Sequence, residues 1–192
     1  MKKEEAARQT IASLIQIARK HFTQYGYHQV SLEKIAGEGQ VTRGAVYHHF
    51  KNKQGLFLAV LNQVQQDVAA QIEQEALTSE DPWQQLILGC VGFIKGANSP
   101  ECRRILLVDA PAVVGWEAWR KADQENSMDA LQRHLLELKE QNYLAEEVNP
   151  TWMTFALSGA LNELALNYSA IADAELIIYD TIARMVAGFK NE

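Results

Sequence analysis

Cysteine is scarce in this chain, with two in 192 residues. Cys90 and Cys102 fit neither a metal-ligand spacing nor a dense disulfide framework. They read as two reduced thiols in a cytoplasmic protein, or as a redox-sensing pair if thiolate character and exposure permit. No apolar run reaches the roughly 18 residues of a membrane span. The opening MKKEEAARQT has two lysines but no apolar core and no cleavage site, so no secretory signal is expected. HExxH, GxSxG and a phosphate-cradling glycine loop are absent, and no carboxylates pair with a clear catalytic geometry, so no enzyme, cofactor or metal is expected. Alternating strand runs, internal repeats and low-complexity stretches are missing too. What remains is 47% hydrophobic and 22% charged residues, the balance of a soluble globular chain.

Positive charge is also in deficit, with a formal net of −6. That argues against a wholly basic nucleic-acid binder. The distribution is uneven, however. Residues 1–55 hold nine Lys/Arg against four Asp/Glu, a local +5, while residues 56–192 hold nine against twenty, a local −11. Four of the five histidines lie in the first segment. Such asymmetry points to a basic contact module joined to an acidic body. The basic module centres on VTRGAVYHHFKNK, residues 41–53. If Thr42 and Asn52 cap helices, Arg43 and Lys53 each stand first in a helix, against the positive end of its dipole. A nearby polyanion would make that placement useful. The aromatics sit in a short turn region and not on a long amphipathic basic face, which disfavours a membrane-surface role.

Helical periodicity runs nearly throughout. Ile11, Leu14, Ile15, Ala18, Phe22 and Tyr25 recur at three- and four-residue spacing, predicting a helix over 5–25 that Gly26 ends. Ser31 is placed to cap a short helix holding Leu32, Ile35 and Ala36. A break at Gly37, Gly39 and Gln40 follows. Thr42 then caps a third helix with Val46 and Phe50 turned inward, and Asn52 caps a fourth running to about residue 76. Two short helices across a tight turn, braced by a longer one, make a helix-turn-helix. Beyond it, Asp81 or Pro82 starts a helix to about Ala97, and Pro100 a short one through Val108. A break is expected at Ala110-Pro111, then a helix from about Val114 to Gln141. Asn149 and Pro150 open a helix over 151–172 that is apolar nearly all round. A last helix covers about 173–189. The expected fold is all-α, about nine helices: a head at 1–52 and a larger helical body at 53–192.

The stretch IAGEGQVTRGAVYHHFKNKQGLFLAVL, with ARKHFTQYGYHQVSLEKIA before it, resembles the DNA-binding head of the tetracycline-repressor (TetR) family of bacterial transcriptional regulators. Thr42, Gly44, Tyr47, His49, Phe50, Lys53 and Leu56 carry the likeness, which is close over residues 8–60. The rest resembles the family in length and helical pattern, with RRILLVDAPAVVGWEAWR similar to one branch. One departure stands out: Gln40 occupies the turn position where the family usually has glycine. Either Gln40 takes positive φ at roughly 1 kcal/mol of strain, or the turn shifts by one residue.

The resemblance implies DNA contacts from Ser31, Thr42, Arg43, Gly44, Ala45, Tyr47, His48, His49 and Lys53. In a helix-turn-helix the second helix enters the major groove with its first residues at base edges. Arg43 is thereby placed to read guanine. Gly44 costs about 1 kcal/mol in a helix; it is either merely tolerated or needed for close approach to DNA. Ser31 and Thr42 cap helices, alone or while also donating to phosphate. His49 is a phosphate contact or an internal brace, and Lys51 a solvated charge. Lys2, Lys3 and Arg8 either reach flanking backbone or form a free tail.

The family further implies a homodimer through the last two helices, a pseudo-palindromic operator in double-stranded DNA, and a small-molecule effector of unknown identity. Ser158, Gly159 and Ala160, with Ile177, Ile178, Ile182, Met185 and Phe189, suit the dimer contact. Candidate effector contacts are Cys90, Phe93, Leu107, Trp116, Trp119, Trp152, Phe155, Asn162, Glu163 and Tyr168. A buried Glu163 would favour a cationic effector or an intersubunit hydrogen bond. The leading expectation is a repressor released by its effector. The alternative is a constitutive or architectural DNA-binding protein with a filled core.

Overall fold

Every helix start the sequence marks with a polar residue is capped by that residue's side chain. Ser31 accepts from Lys34 N–H, Thr42 from Ala45, Asn52 from Gly55, Asp81 from Gln84, and Asn149 from Thr151 and Trp152. In this computed structural model, which describes residues 2–168 and 174–191, these caps set out an all-helical chain. The helices are α1 (Lys2–Gln29), α2 (Leu32–Glu38), α3 (Arg43–Phe50), α4 (Lys53–Ala76), α5 (Pro82–Asn98), α6 (100–114), α7 (116–140), α8 (Pro150–Asn167) and α9 (Ala174–Ala187). The expected stretch 169–172, the expected start of the last helix at 173, and the side chains of Lys2 and Lys3 lie outside the described residues. Among the described residues no helix is long and apolar enough to cross a membrane.

The head is built around α1. Leu14, Ala18 and Phe22 on one stripe of α1 are buried with Ile35 and Ala36 of α2, Val46 and Phe50 of α3, and Leu56, Phe57 and Val60 of α4. Phe22 and Tyr27 each meet the Phe57 ring with centroids 5.2 Å apart. The apolar centre of the head therefore includes the first two turns of α4. Gly26 departs from helical geometry, with φ +75°, and α1 resumes for one more turn. Its lack of a Cβ also leaves space for the Arg104 guanidinium, which would lie 2.1 Å from one.

Polar contacts fasten that turn to the body. The Tyr27 N–H donates to Asp109 Oδ2 at 3.0 Å, and Arg104 Nε lies 3.3 Å from Asp109 Oδ1. Arg19 of α1 joins Asp67 of α4 and Glu101 of α6. Gln54 at the start of α4 donates to the Val113 carbonyl of α6 at 2.9 Å.

Two helices depart from expectation in one way. The break placed at Ala110-Pro111 is absent, and α6 runs on to Val114, ending before Gly115 at φ +83°. Within it Arg103–Asp109 forms a π-type wide turn, and the Ala110 N–H reaches back five residues to Ile105 O. In that register the next amide would serve Leu106 O, but residue 111 is proline and has none. The buried indole N–H of Trp119 donates to Leu106 O at 2.9 Å and fills the gap. A second wide turn, Gln124–Met128, lies inside α7. Trp119→Phe should cost about 1–3 kcal/mol, the penalty of a buried carbonyl left unpaired, read as a lower denaturant midpoint with unchanged slope.

The apolar helix α8 buries one face only. Met153, Leu157, Leu161 and Ala165 are inside, while Trp152, Phe155, Ala156 and Gly159 are exposed. The terminal segment pairs back, with Ala145 N–H on Phe189 O at 3.0 Å and Asn191 N–H on Tyr143 O at 2.8 Å.

Candidate functional site

α3 presents Arg43, Gly44, Tyr47 and His48 to solvent and turns Val46 and Phe50 into the core. Thr42, which caps it, is exposed; Ala45 and His49 are half-buried, and Ser31 stands half-buried at the start of α2. Arg43 is held in place before any ligand arrives. Its guanidinium pairs with Glu33 of α2 at 2.9 Å, donates to Tyr47 Oη at 3.1 Å and sits 5.1 Å from the Tyr47 ring centroid. The carboxylate of Glu33 thus offsets the unfavourable dipole contact of a cation in the first turn. Both partners are exposed, so the pair adds little stability and gives way readily to a stronger anion.

Gly44 has no internal reason to be glycine. A Cβ built there would meet only Thr42 Oγ1, at an ordinary 3.8 Å. Its φ does not require glycine either, since the positive-φ glycines are Gly26 and Gly115.

The backbone on either side of α3 is strained. Gln40 has φ 53°, the left-handed conformation that the sequence left as one of two options; Gly39 does not share it. Lys51, expected as a plain solvated charge, has φ 65° and ψ −47°. Asn52 N–H donates to Phe50 O at 2.8 Å across it, a γ-turn of the rarer and more strained hand. No sequence signal marked Lys51 for this role.

Lys53 is half-buried. Its Nζ lies 4.4 Å from the Tyr27 ring centroid and 3.3 Å from His28 O. Burial moves the ammonium pKa down from its usual value. The side chain braces the Gly26–Tyr27 turn against α4 while remaining next to the α3 face. Arg8 is exposed on α1.

A cavity of about 480 Å³ opens between α4, α5 and α7, with Ser158 and Leu161 of α8. Of the ten effector candidates it gathers two, Cys90 and Phe93. The other eight lie off its wall. Leu107 is packed in the core on α6. Trp119 is committed to Leu106 O, and Trp116 is 64% exposed with its ring 4.9 Å from that of Trp119. Trp152 and Phe155 occupy the outer face of α8, where Asn162 and Tyr168 are half-buried. Glu163 is exposed and accepts from Asn167 at 3.2 Å, so the condition that linked it to a cationic effector is not met. Ser158, read as a small dimer residue, faces inward to Arg120 and Asp123. Ile178 and Ile182 are likewise buried within the chain.

The cavity's chemistry comes from residues the sequence did not single out: Asp123, Asn126, Arg133 and His134. Asp123 sits in a polar run, KADQENSMDA, that resembles a solvated face. Burial pushes its carboxyl pKa up from the ordinary value, with Arg120 and Ser158 opposing. Both thiols are free and buried. Burial raises the Cys90 thiol to about 12 and raises that of Cys102 as well, so neither has the thiolate character of a redox sensor.

The sequence pattern described as "Bacterial regulatory proteins, tetR family" matches residues 14–60, and "Tetracyclin repressor-like, C-terminal domain" matches residues 83–189. The Transposon Tn10 TetC protein of Escherichia coli is 45% identical over 60 residues, which is 31% of this chain and 30% of that protein. The HTH-type transcriptional regulator AcrR of Shigella flexneri is 30% identical over 107 residues, 55% of this chain and 50% of its own. These matches thus span about a third to a half of those relatives' length. The crystal structure of the TetR-family transcriptional regulator ECA1819 of Pectobacterium atrosepticum superimposes with TM-score 0.80 at 28% identity, covering 98% of this chain and 97% of its own.

Proposed function

The chain belongs to the TetR family of DNA-binding transcriptional regulators, and on that basis we propose that it is a homodimeric repressor released from a pseudo-palindromic operator by a small molecule. Residues 1–52 are the DNA-binding head and 53–192 the effector and dimer body, with the start of α4 belonging physically to both. Gly44 is the observation that carries the reading. It is an exposed glycine inside a helix, with room for a side chain and no backbone need for its absence. A penalty of about 1 kcal/mol without internal return points to something outside the chain that must come close. A DNA groove fits, since Arg43, Tyr47 and His48 share the exposed face. Thr42, Ser31 and Lys53 flank it as phosphate donors, with Ala45 and His49 at its margin.

The dimer is supported by the apolar side chains left uncovered on the last two helices. Trp152 and Leu176 are 72% and 78% exposed, with Phe155, Ile177 and Tyr179 nearby in the sequence of the same helices. Several large apolar side chains left in water on these two helices are what a subunit interface would cover. Two heads related by a two-fold axis would then meet half-sites about 34–36 Å apart. Release is supported by the position of the cavity: α4 lines it through Ala69, Ile72, Glu73 and Ala76 and also carries the head. An effector acts through its different affinity for two arrangements of that helix.

The test is to capture sheared genomic DNA on purified protein at physiological salt and sequence what is retained. Sharp enrichment of one or a few palindromic sites is expected. Retention without enrichment, vanishing as salt rises, would reduce the head to an electrostatic contact. In the same assay Gly44→Ala should lose the enriched sites while raising fold stability by as much as about 1 kcal/mol, an opposition that a structural role for Gly44 does not produce.

A further inference from the structure

Asp123 is the buried charged residue of the cavity wall, 5% exposed at the start of the Gln124–Met128 wide turn. Wide turns of this type concentrate at functional sites. Its two protein hydrogen bonds both fall on Oδ2, from Arg120 at 3.4 Å and from Ser158 Oγ at 3.4 Å. Both are long. Oδ1 receives none among the described residues, although an ionised carboxylate offers about four acceptor positions. Oδ1 is not among the fully buried unpartnered atoms, so it stays accessible on the cavity wall, and a donor arriving in the cavity could bond to it.

The surroundings decide which donor. Arg120 already balances the charge of Asp123. A cationic ligand would add an unmatched positive charge beside Arg120, and an anionic one would face the open side of a carboxylate. Glu73 and Arg133 are solvent-exposed, and His134 is turned to Pro82 O at 3.0 Å, so none supplies a second buried charge. The remaining wall is apolar, including Ile72, Leu86, Phe93, Met128 and Leu161. We propose that the cavity takes an uncharged, largely apolar molecule bearing a hydroxyl group, whose O–H donates to Asp123 Oδ1. This rests on the reading of the cavity as the effector site.

Four probes that share one ring body separate the choices: biphenyl, 4-phenylphenol, biphenyl-4-carboxylate and 4-phenylbenzylammonium, each titrated calorimetrically into the full-length protein. A hydrogen bond to a charged group predicts that 4-phenylphenol binds about tenfold or more tighter than biphenyl. It should also lead both charged probes. Asp123→Asn should shrink the gain over biphenyl to about threefold or less, because the acceptor becomes neutral. Equal affinity for biphenyl and 4-phenylphenol in the wild-type protein overturns the assignment without reference to any variant. So does tightest binding of either charged probe, or a hydroxyl preference that survives in Asp123→Asn. Biphenyl binding with no hydroxyl gain overturns the hydroxyl assignment and leaves the effector reading of the cavity standing. If none of the four binds and none releases the DNA sites enriched from the genome, the effector reading falls with it.

Discussion

Gly55→Ala should lower the melting temperature by roughly 2–12 °C and abolish specific DNA retention. The α3–α4 junction is the tightest in the head. An added Cβ at residue 55 would lie 2.0 Å from the Phe50 carbonyl oxygen and 3.1 Å from its carbon. No flexible side chain is available to move aside; the obstacle is backbone. That carbonyl also accepts the Asn52 N–H at 2.8 Å, and Gly55 N–H is held by Asn52 Oδ1 at 2.7 Å, so relief at one point breaks another. Overpacking of this kind costs about 1–3 kcal/mol and sometimes more, which in a chain of this size translates to about 2–4 °C per kcal/mol. Any shift of Phe50 moves α3 itself, hence the loss of DNA. Differential scanning calorimetry checks the first effect and binding to an enriched site the second. An unchanged melting temperature would mean that the junction is looser than the distance implies.

Arg43→Ala is expected to erase discrimination between operator and random DNA. A bidentate contact to guanine is worth about 1–3 kcal/mol of discrimination, so specific affinity should fall about 5- to 150-fold while random DNA loses far less. The free protein should barely change, because the Glu33 pair it gives up is exposed. Lys53→Ala offers the contrast. It should weaken all DNA evenly and flatten the salt slope by about one. Titrations of one operator and one scrambled duplex at several salt concentrations distinguish the two. Equal loss on both duplexes for Arg43→Ala would remove it as a base reader.

The head was legible because its signals are local. A Ser, Thr or Asn before an apolar-periodic run specifies a cap within three residues, and Ser31, Thr42 and Asn52 all behave so. The inward turn of Val46 and Phe50 follows from spacing alone. The body was legible in helix number but not in phase. Each wide turn adds a residue to its helix, so apolar stripes before and after it do not share one period, and no residue type announces the change. Pro111 looked like a break because proline normally removes a hydrogen bond with no replacement; here the replacement is a tryptophan eight residues on. The cavity escaped for a related reason. Aromatic residues suggested lining, yet Trp116, Trp119 and Trp152 cap, stack or lie outside, while Asp123 was hidden in a polar run. Lys51 had no signal, since its positive φ belongs to the tight turn closed by Asn52 N–H on Phe50 O, and lysine is not a residue type that marks such a turn.

The wide turn in α7 also has a genetic consequence. It accommodates one residue more than a regular helix would, the equivalent of one extra codon. Deleting one residue between 124 and 128 should restore a regular spiral and leave the faces before and after it in place, whereas a deletion elsewhere in α7 would rotate everything after it by about 100°. Leu131 and His134 would then keep their places on the cavity wall. A regulator whose α7 is regular throughout thus matches this chain across the helix only with a one-residue gap, and transfer of effector contacts beyond Asp123 must be shifted by one residue.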